Sequence, residues 1–360
     1  MRSAKTLTAA LAGLLGACTG KATGDTGAAT PTPALIWSGW SHAWHLLNHR
    51  VSYAEAVLEA DGTARMGLVG GDWTTGEGAT DYPLYRFHHQ RVVAEGLTVI
   101  HGSSALVVRA NTPAAATVEV EFPSEAPRSW VAVLRGFRIN TDTAQDDPAY
   151  PTDYDPALGY TSRGFGFGLG EVDAAGESLR FDTQASVRWG PSSPDDPLDR
   201  SAMNAATAVA TTEVELAWTL IGFDGALSAS SAAATRSYPA GVFSEQAPFS
   251  AADLPLDLPG GPGFAALRAF DLSLEVPASP GQGEYIRSMG VALDVSPTRA
   301  PPVHAEAAFT TSSLVELSDV DVGVTLDVLW VGLDDRDASH EAILREGEAP
   351  VGPTVVPAAP

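Results

Sequence analysis

The chain has 360 residues and a formal net charge of −23. A surface this acidic repels phosphate backbones and anionic lipid, which argues against nucleic acid as a partner. The 44% hydrophobic content excludes a largely disordered chain, and 35 Gly with 26 Pro leave little room for long helices.

The N-terminus reads as an export signal. Arg2 and Lys5 form a short positive region, and Leu7 to Gly16 is an apolar stretch too short to span a bilayer. Leu15-Gly16-Ala17-Cys18 follows. This resembles the lipobox of bacterial lipoproteins. The resemblance implies removal of residues 1–17 and attachment of lipid at Cys18. Stable anchoring takes more than one acyl chain, which a diacylated cysteine supplies. Thr19, in place of an aspartate, implies sorting to the outer membrane of the cell envelope. Cys18 is the only cysteine, so no intramolecular disulfide forms. The plainer alternative is an ordinary signal peptide with a chance cysteine. Residues 18–34, rich in Thr, Gly, Ala and Pro, read as a flexible tether.

From residue 35 onward the pattern is β. Residues 35–120 hold Trp37, Trp40, Trp44 and Trp73 and six of the eight histidines. They read as a β-rich segment, with one helical turn from Ala43 to Asn48 and a hairpin turn at Asp61-Gly62. Clean alternation marks strands at 117–122, 213–218 and 324–330. Five blocks then recur in one order. FPSEAP at 122–127 matches FSEQAP at 243–248, and VAVLRGFRI at 131–139 matches GFAALRAFDL at 263–272. RGFGFGLGEV at 163–172 matches RSMGVALDV at 287–295, and LRFDTQASV at 179–187 matches VHAEAAFTT at 303–311. VELAWTLIGFD at 214–224 matches VTLDVLWVGLDD at 324–335. The spacing predicts an all-β chain of two tandem antiparallel β-sandwich domains, 121–240 and 241–340, preceded by the β-rich segment. Insertions are expected at about 141–160, 190–210 and 249–262, and 341–360 as a disordered tail.

The order of these blocks resembles the H-type lectin domain, over roughly 121–226 and 242–336. The resemblance implies a six-stranded antiparallel sandwich, oligomer formation and binding of N-acetylgalactosamine-type sugars. It implies a sugar site at Trp189, with Arg163 as the basic partner. The second copy has Thr310 and Thr311 where Trp189 falls in the first.

Several groups of residues could carry chemistry. Trp189, beside a loop with Asp195, Asp196, Asp199 and Arg200, offers an aromatic face to a pyranose and charged groups to its hydroxyls. The plainer reading is a rim tryptophan beside a solvated loop. His42, His45 and His49, with His88, His89 and His101, could ligate a metal only if they converge. Packing and hydrogen bonding account for them otherwise. Asp142, Asp146, Asp147, Asp153 and Asp155 crowd one loop that could hold Ca²⁺, although the EF-hand grammar is absent. Sequence motifs of serine hydrolases, zinc peptidases and nucleotide-binding loops are absent, so no enzyme is expected. Two readings stand: a surface lipoprotein that binds carbohydrate, and a structural or adhesion lipoprotein whose partner is another envelope protein. A homo-oligomer fits either.

Overall fold

The computed structural model describes residues 33–43, 51–70, 84–94, 96–109, 112–121, 129–140, 160–175, 178–191, 211–238, 244–275, 285–295, 303–312, 320–333, 339–348 and 352–356. Every regular element among them is a β-strand, as composition and alternation predict.

The strands fall into three repeats of six. Repeat I holds β1 (Ala34–Ala43), β2 (Val51–Leu58), β3 (Ala64–Gly70), β4 (Leu84–Val93), β5 (Thr98–Arg109) and β6 (Ala114–Glu121). Repeat II holds β7 (Ser129–Asn140), β8 (Tyr160–Leu169), the short extra β9 (Asp173–Ala175), β10 (Ser178–Pro191), β11 (Thr211–Phe223), β12 (Leu227–Tyr238) and β13 (Ser244–Phe249). Repeat III holds β14 (Gly263–Glu275), β15 (Tyr285–Val295), β16 (Val303–Ser312), β17 (Val320–Gly332), β18 (Ser339–Glu348) and β19 (Gly352–Val356). The segment 35–120, expected to stand apart from both copies, is therefore a full copy itself. Its first strand carries Trp37-Ser38-Gly39-Trp40 where the others carry Leu134-Arg135-Gly136-Phe137 and Leu267-Arg268-Ala269-Phe270.

The repeats do not close separate sandwiches. The strands form three walls, each shared by all three repeats. Wall 1 runs β19-β3-β2-β7-β11-β5, wall 2 runs β12-β17-β14-β8-β10-β6, and wall 3 runs β13-β16-β15-β1-β4-β18. One rule generates every wall. The second, third and fifth strands of one repeat join the first and fourth strands of the next, and the sixth strand of the preceding repeat closes the edge. The rule is cyclic: β1 of repeat I pairs with β15 of repeat III, so the last repeat locks onto the first. The expected sandwich boundaries thus fall between strands that sit in common sheets, and the tail expected to be disordered supplies two of them. β18 pairs with β4, and β19 pairs with β3. Thr354, Val355 and Val356 give β19 the β-branched character that suits an added edge strand.

The cyclic rule brings equivalent residues to one centre. Trp40, Phe137 and Phe270 occupy the same position in β1, β7 and β14 and are all buried. Their ring centroids are 5.1 Å apart for Trp40 and Phe137, 6.2 Å for Phe137 and Phe270, and 6.4 Å for Trp40 and Phe270. Full burial of one such side chain stabilises by roughly 1.5–3 kcal/mol. Phe165, Phe167 and Trp37 extend the cluster. A second, smaller core gathers the starts of the same three strands, with Ile36, Val133 and Ala266 in equivalent positions.

Each pairing of a first strand with a second strand of another repeat holds one glycine with positive φ, while a bulge lies between the first and fourth strands of each repeat. Gly39 stands between β1 and β15, Gly136 between β7 and β2, and Gly164 between β8 and β14, with φ of 143°, 150° and 147°. A Cβ on Gly136 would lie 2.2 Å from the Ala56 carbonyl oxygen. This close approach of β7 to β2 therefore demands glycine for both conformation and space.

Two local expectations can be placed. Asp61-Gly62 makes the hairpin turn between β2 and β3, where Gly62 has φ 84° and the Thr63 amide donates to Asp61 Oδ1 at 2.9 Å. That bond holds the Asp61 carboxyl below its ordinary range. The insertion between β13 and β14 is an extended strap. Its Leu254, Leu256 and Leu258 are buried, and Arg236 of β12 pins its Asp253 at 3.2 Å. The expected helical turn at 43–48 lies outside the described residues beyond Ala43, the last residue of β1.

Gly136→Ala should lower stability by roughly 1–3 kcal/mol from backbone strain, with the contact to Ala56 adding to it. A urea titration followed by tryptophan fluorescence would show the midpoint shift; an unchanged midpoint would mean that the β7–β2 seam tolerates a side chain at this position.

Candidate functional site

Wall 2 brings Trp189 and Arg163 together in the backbone. They lie on the adjacent strands β10 and β8, where the register slips: Arg188 pairs with Gly164 and Trp189 with Ser162, leaving Arg163 as the extra residue of a bulge. The same slip occurs in wall 3 between Ile286 and Ser288, opposite Thr311 and Thr310. It occurs again in wall 1 between Val51 and Tyr53, opposite Gly70 and Val69. The positions equivalent to Trp189 and Arg163 are thus Thr311 with Arg287, and Gly70 with Ser52. Only repeat II combines an aromatic residue with an arginine there. The side chains of Trp189 and Arg163 lie outside the description, as do Asp195, Asp196, Asp199 and Arg200. Next to this bulge, Arg188 pairs with Asp271 of β14 at 2.7 Å, passing over Gly164 and Gly166 of β8.

Wall 1 carries a second polar site that no sequence motif marks. Glu55 of β2, Arg138 of β7 and Glu215 of β11 stand in one row across three strands. Arg138 Nε donates to Glu55 at 2.8 Å, and Arg138 donates to Glu215 at 2.7 Å. Arg65 of β3 meets Glu55 at 3.3 Å and also pairs with Glu59. Glu55 is only 1% exposed, so its charge depends on these guanidinium groups. Beside the row lies Arg135, the bulge residue of β7. It donates to the Leu58 carbonyl at 2.8 Å and lies 3.4 Å from both Glu59 and the Gly102 carbonyl. Burial pushes the Arg135 guanidinium below its ordinary pKa, and Glu59 offsets part of that shift. Glu59, Arg65, Arg135, Arg138 and Glu215, with Val57, Ser103 and Ala217, line a cleft of about 170 Å³. Charged residues stand among apolar ones at 55–59, 135–138 and 213–215, and only 213–215 alternates cleanly; only the pairing shows that they form one site.

His101, one of the histidines that could ligate a metal only if they converged, borders this region. Its Nδ1 lies 3.0 Å from Thr219 Oγ1 in the facing strand. Burial, aided by the charge of Arg135, lowers its pKa from 6.5 to about 4. It is therefore neutral at pH 7. Next to it, Gly102 leaves room for Trp218, whose ring lies where a Cβ would be, 2.2 Å away.

Among the described residues no three His, Cys, Asp or Glu side chains come together in a way that would hold a metal. His89 is buried and packs edge-on to Phe87 at 6.1 Å, while its neighbour His88 is half-buried on the opposite face of β4. His45, His49, the Asp142–Asp155 cluster and Cys18 lie outside the described residues, as does the side chain of His42. Comparison with protein-family models, with curated proteins and with solved structures finds no match.

The neutral His101 sets a pH dependence. Its folded pKa lies below its unfolded value, so the unfolded chain binds more protons between about 4 and 6.5. Stability from this group is fully present above pH 6.5 and is lost as pH falls towards 4. Urea midpoints measured across that range should fall, and His101→Gln should flatten the fall. Equal slopes in both proteins would exclude His101 as its source.

Proposed function

We propose that this chain is a lipoprotein of the bacterial cell envelope, anchored through Cys18 at the outer membrane, that binds carbohydrate through the end of wall 2 around Trp189. The observation that carries the reading is the bulge at which Trp189 and Arg163 meet on adjacent strands. A tryptophan and an arginine at neighbouring backbone positions are residue types that suit a pyranose, whose apolar face stacks on an aromatic ring while its hydroxyls accept charged hydrogen bonds. The nearby ion pair of Arg188 and Asp271 adds fixed polar groups to the same wall. Six strands per repeat and the block order support the H-type lectin resemblance as a guide to the ligand class. That resemblance also implies an oligomer. Here three copies already share their walls within one chain, so a single chain is the complete unit in this reading. With one aromatic–arginine pair among three equivalent positions, it is monovalent.

A glycan array probed with the full-length chain should show galactose-type binding. Trp189→Ala should weaken that binding by roughly tenfold or more, as expected from loss of one stacking contact. A native chain that binds no glycan, with or without added Ca²⁺, sinks the sugar reading and leaves the envelope-protein partner in its place.

A further inference from the structure

The cyclic design provides an internal comparison. Arg135 in wall 1 and Arg268 in wall 2 are the same residue of the repeat: each is the extra residue of the bulge between a first strand and its fourth strand. In wall 2 the neighbouring strand supplies a carboxylate. Asp327 pairs with Ala269 and accepts from Arg268 Nε at 2.8 Å, with a further contact to the guanidinium at 2.7 Å. In wall 1 the position of Asp327 is taken by Ala217, which pairs with Gly136. No acceptor takes the place of Asp327 at Nε: the Arg135 Nε is buried and meets no acceptor. The side chain of Arg135 is only 9% exposed, and Glu59 reaches it at 3.4 Å from the β2–β3 turn. The cleft lies at this place, lined by both Ala217 and Arg135.

We propose that the wall 1 cleft binds a small carboxylate, which occupies the place that Asp327 fills in wall 2. The chemistry of the lining agrees. Three guanidinium groups, Arg65, Arg135 and Arg138, line the cleft against two carboxylates, Glu59 and Glu215, in a chain with 44 acidic residues against 21 Lys and Arg. Ser103 adds a hydroxyl donor at the rim. Ala217 leaves the volume of a carboxylate open next to a donor that otherwise stays unsatisfied, a costly condition for a buried N–H. A planar carboxylate matches the fork of a guanidinium better than a tetrahedral anion does in so narrow a space. The site is separate from the Trp189 region, since the two lie on different walls.

The test compares thermal unfolding of the full-length chain in sodium acetate, sodium glucuronate, inorganic phosphate and glucose, each against sodium chloride at matched ionic strength. Acetate and glucuronate should raise the midpoint, and glucose should not. Ala217→Asp places the wall 2 carboxylate in wall 1; it should raise the midpoint without ligand and weaken the carboxylate response by at least about tenfold. Ala217→Leu fills the same space without charge and should also abolish the response, which guards against an aspartate variant that folds poorly. A response to glucuronate alone supports the site and narrows its ligand to an acidic sugar. No response to either carboxylate, a response to phosphate alone, or an unchanged response in both variants overturns it. Loss of glycan binding in Trp189→Ala would leave these outcomes unaffected, so the two readings fail separately.

Discussion

The constraint on which the rest depends is the pairing of each repeat's second strand with the first strand of its neighbour. A three-stranded half-sheet with one exposed inner edge cannot satisfy its backbone amides alone. Here every such edge is met by the next repeat, through β2 with β7, β8 with β14, and β15 with β1. The ring closes because there are three repeats and the third returns to the first. Equivalent residues then meet about a common centre, which is why Trp40, Phe137 and Phe270 pack against one another although they lie far apart in sequence.

A bulge recurs beside each of these seams, between the first and fourth strands of one repeat. Two strands from different repeats approach closely at the centre of each wall, and one glycine per seam permits it. The bulge re-aims the residue before it, and sequence divergence has turned that residue to different uses. Ser38 accepts from the buried Gln90 amide at 2.6 Å, and the same amide reaches the Ala265 carbonyl at 2.7 Å, linking repeat I to repeat III. Arg268 is closed by Asp327, and Arg135 is left facing a cleft. One backbone device, three side-chain outcomes: the walls are alike in architecture and unlike in chemistry.

Much of the strand content was legible from alternation, because period-2 burial does not depend on which strand lies alongside. That independence is also why the partners were illegible. VAVLRGFRI looks the same whether it pairs with a strand of its own repeat or of the next, so two copies read as two sandwiches. Repeat I is hard to see because Trp37-Ser38-Gly39-Trp40 shares an aromatic with both counterparts but the glycine with repeat II alone, and β2 has Ala54 and Ala56 where β8 has large aromatics. β18 and β19 were hidden by a Gly, Pro and Ala-rich ending whose few β-branched residues suffice once an edge is waiting. At the sites, Trp189 and Arg163 were placed side by side by family likeness. The Arg135 cleft depends on an alanine, Ala217, and an absent carboxylate carries no signal in a single sequence.

Closure between the two ends of the chain has a consequence for how the molecule is made. Wall 3 needs β18 beside β4, and wall 1 needs β19 beside β3. Contacts of such long range place the fold at the slow, high-contact-order end of folding behaviour. A chain emerging from its N-terminus presents β1 to β6 with open edges, and none of its walls can be finished until the last repeat has been synthesised. Folding is thereby deferred to the complete chain, and the final strands act as a latch on the first.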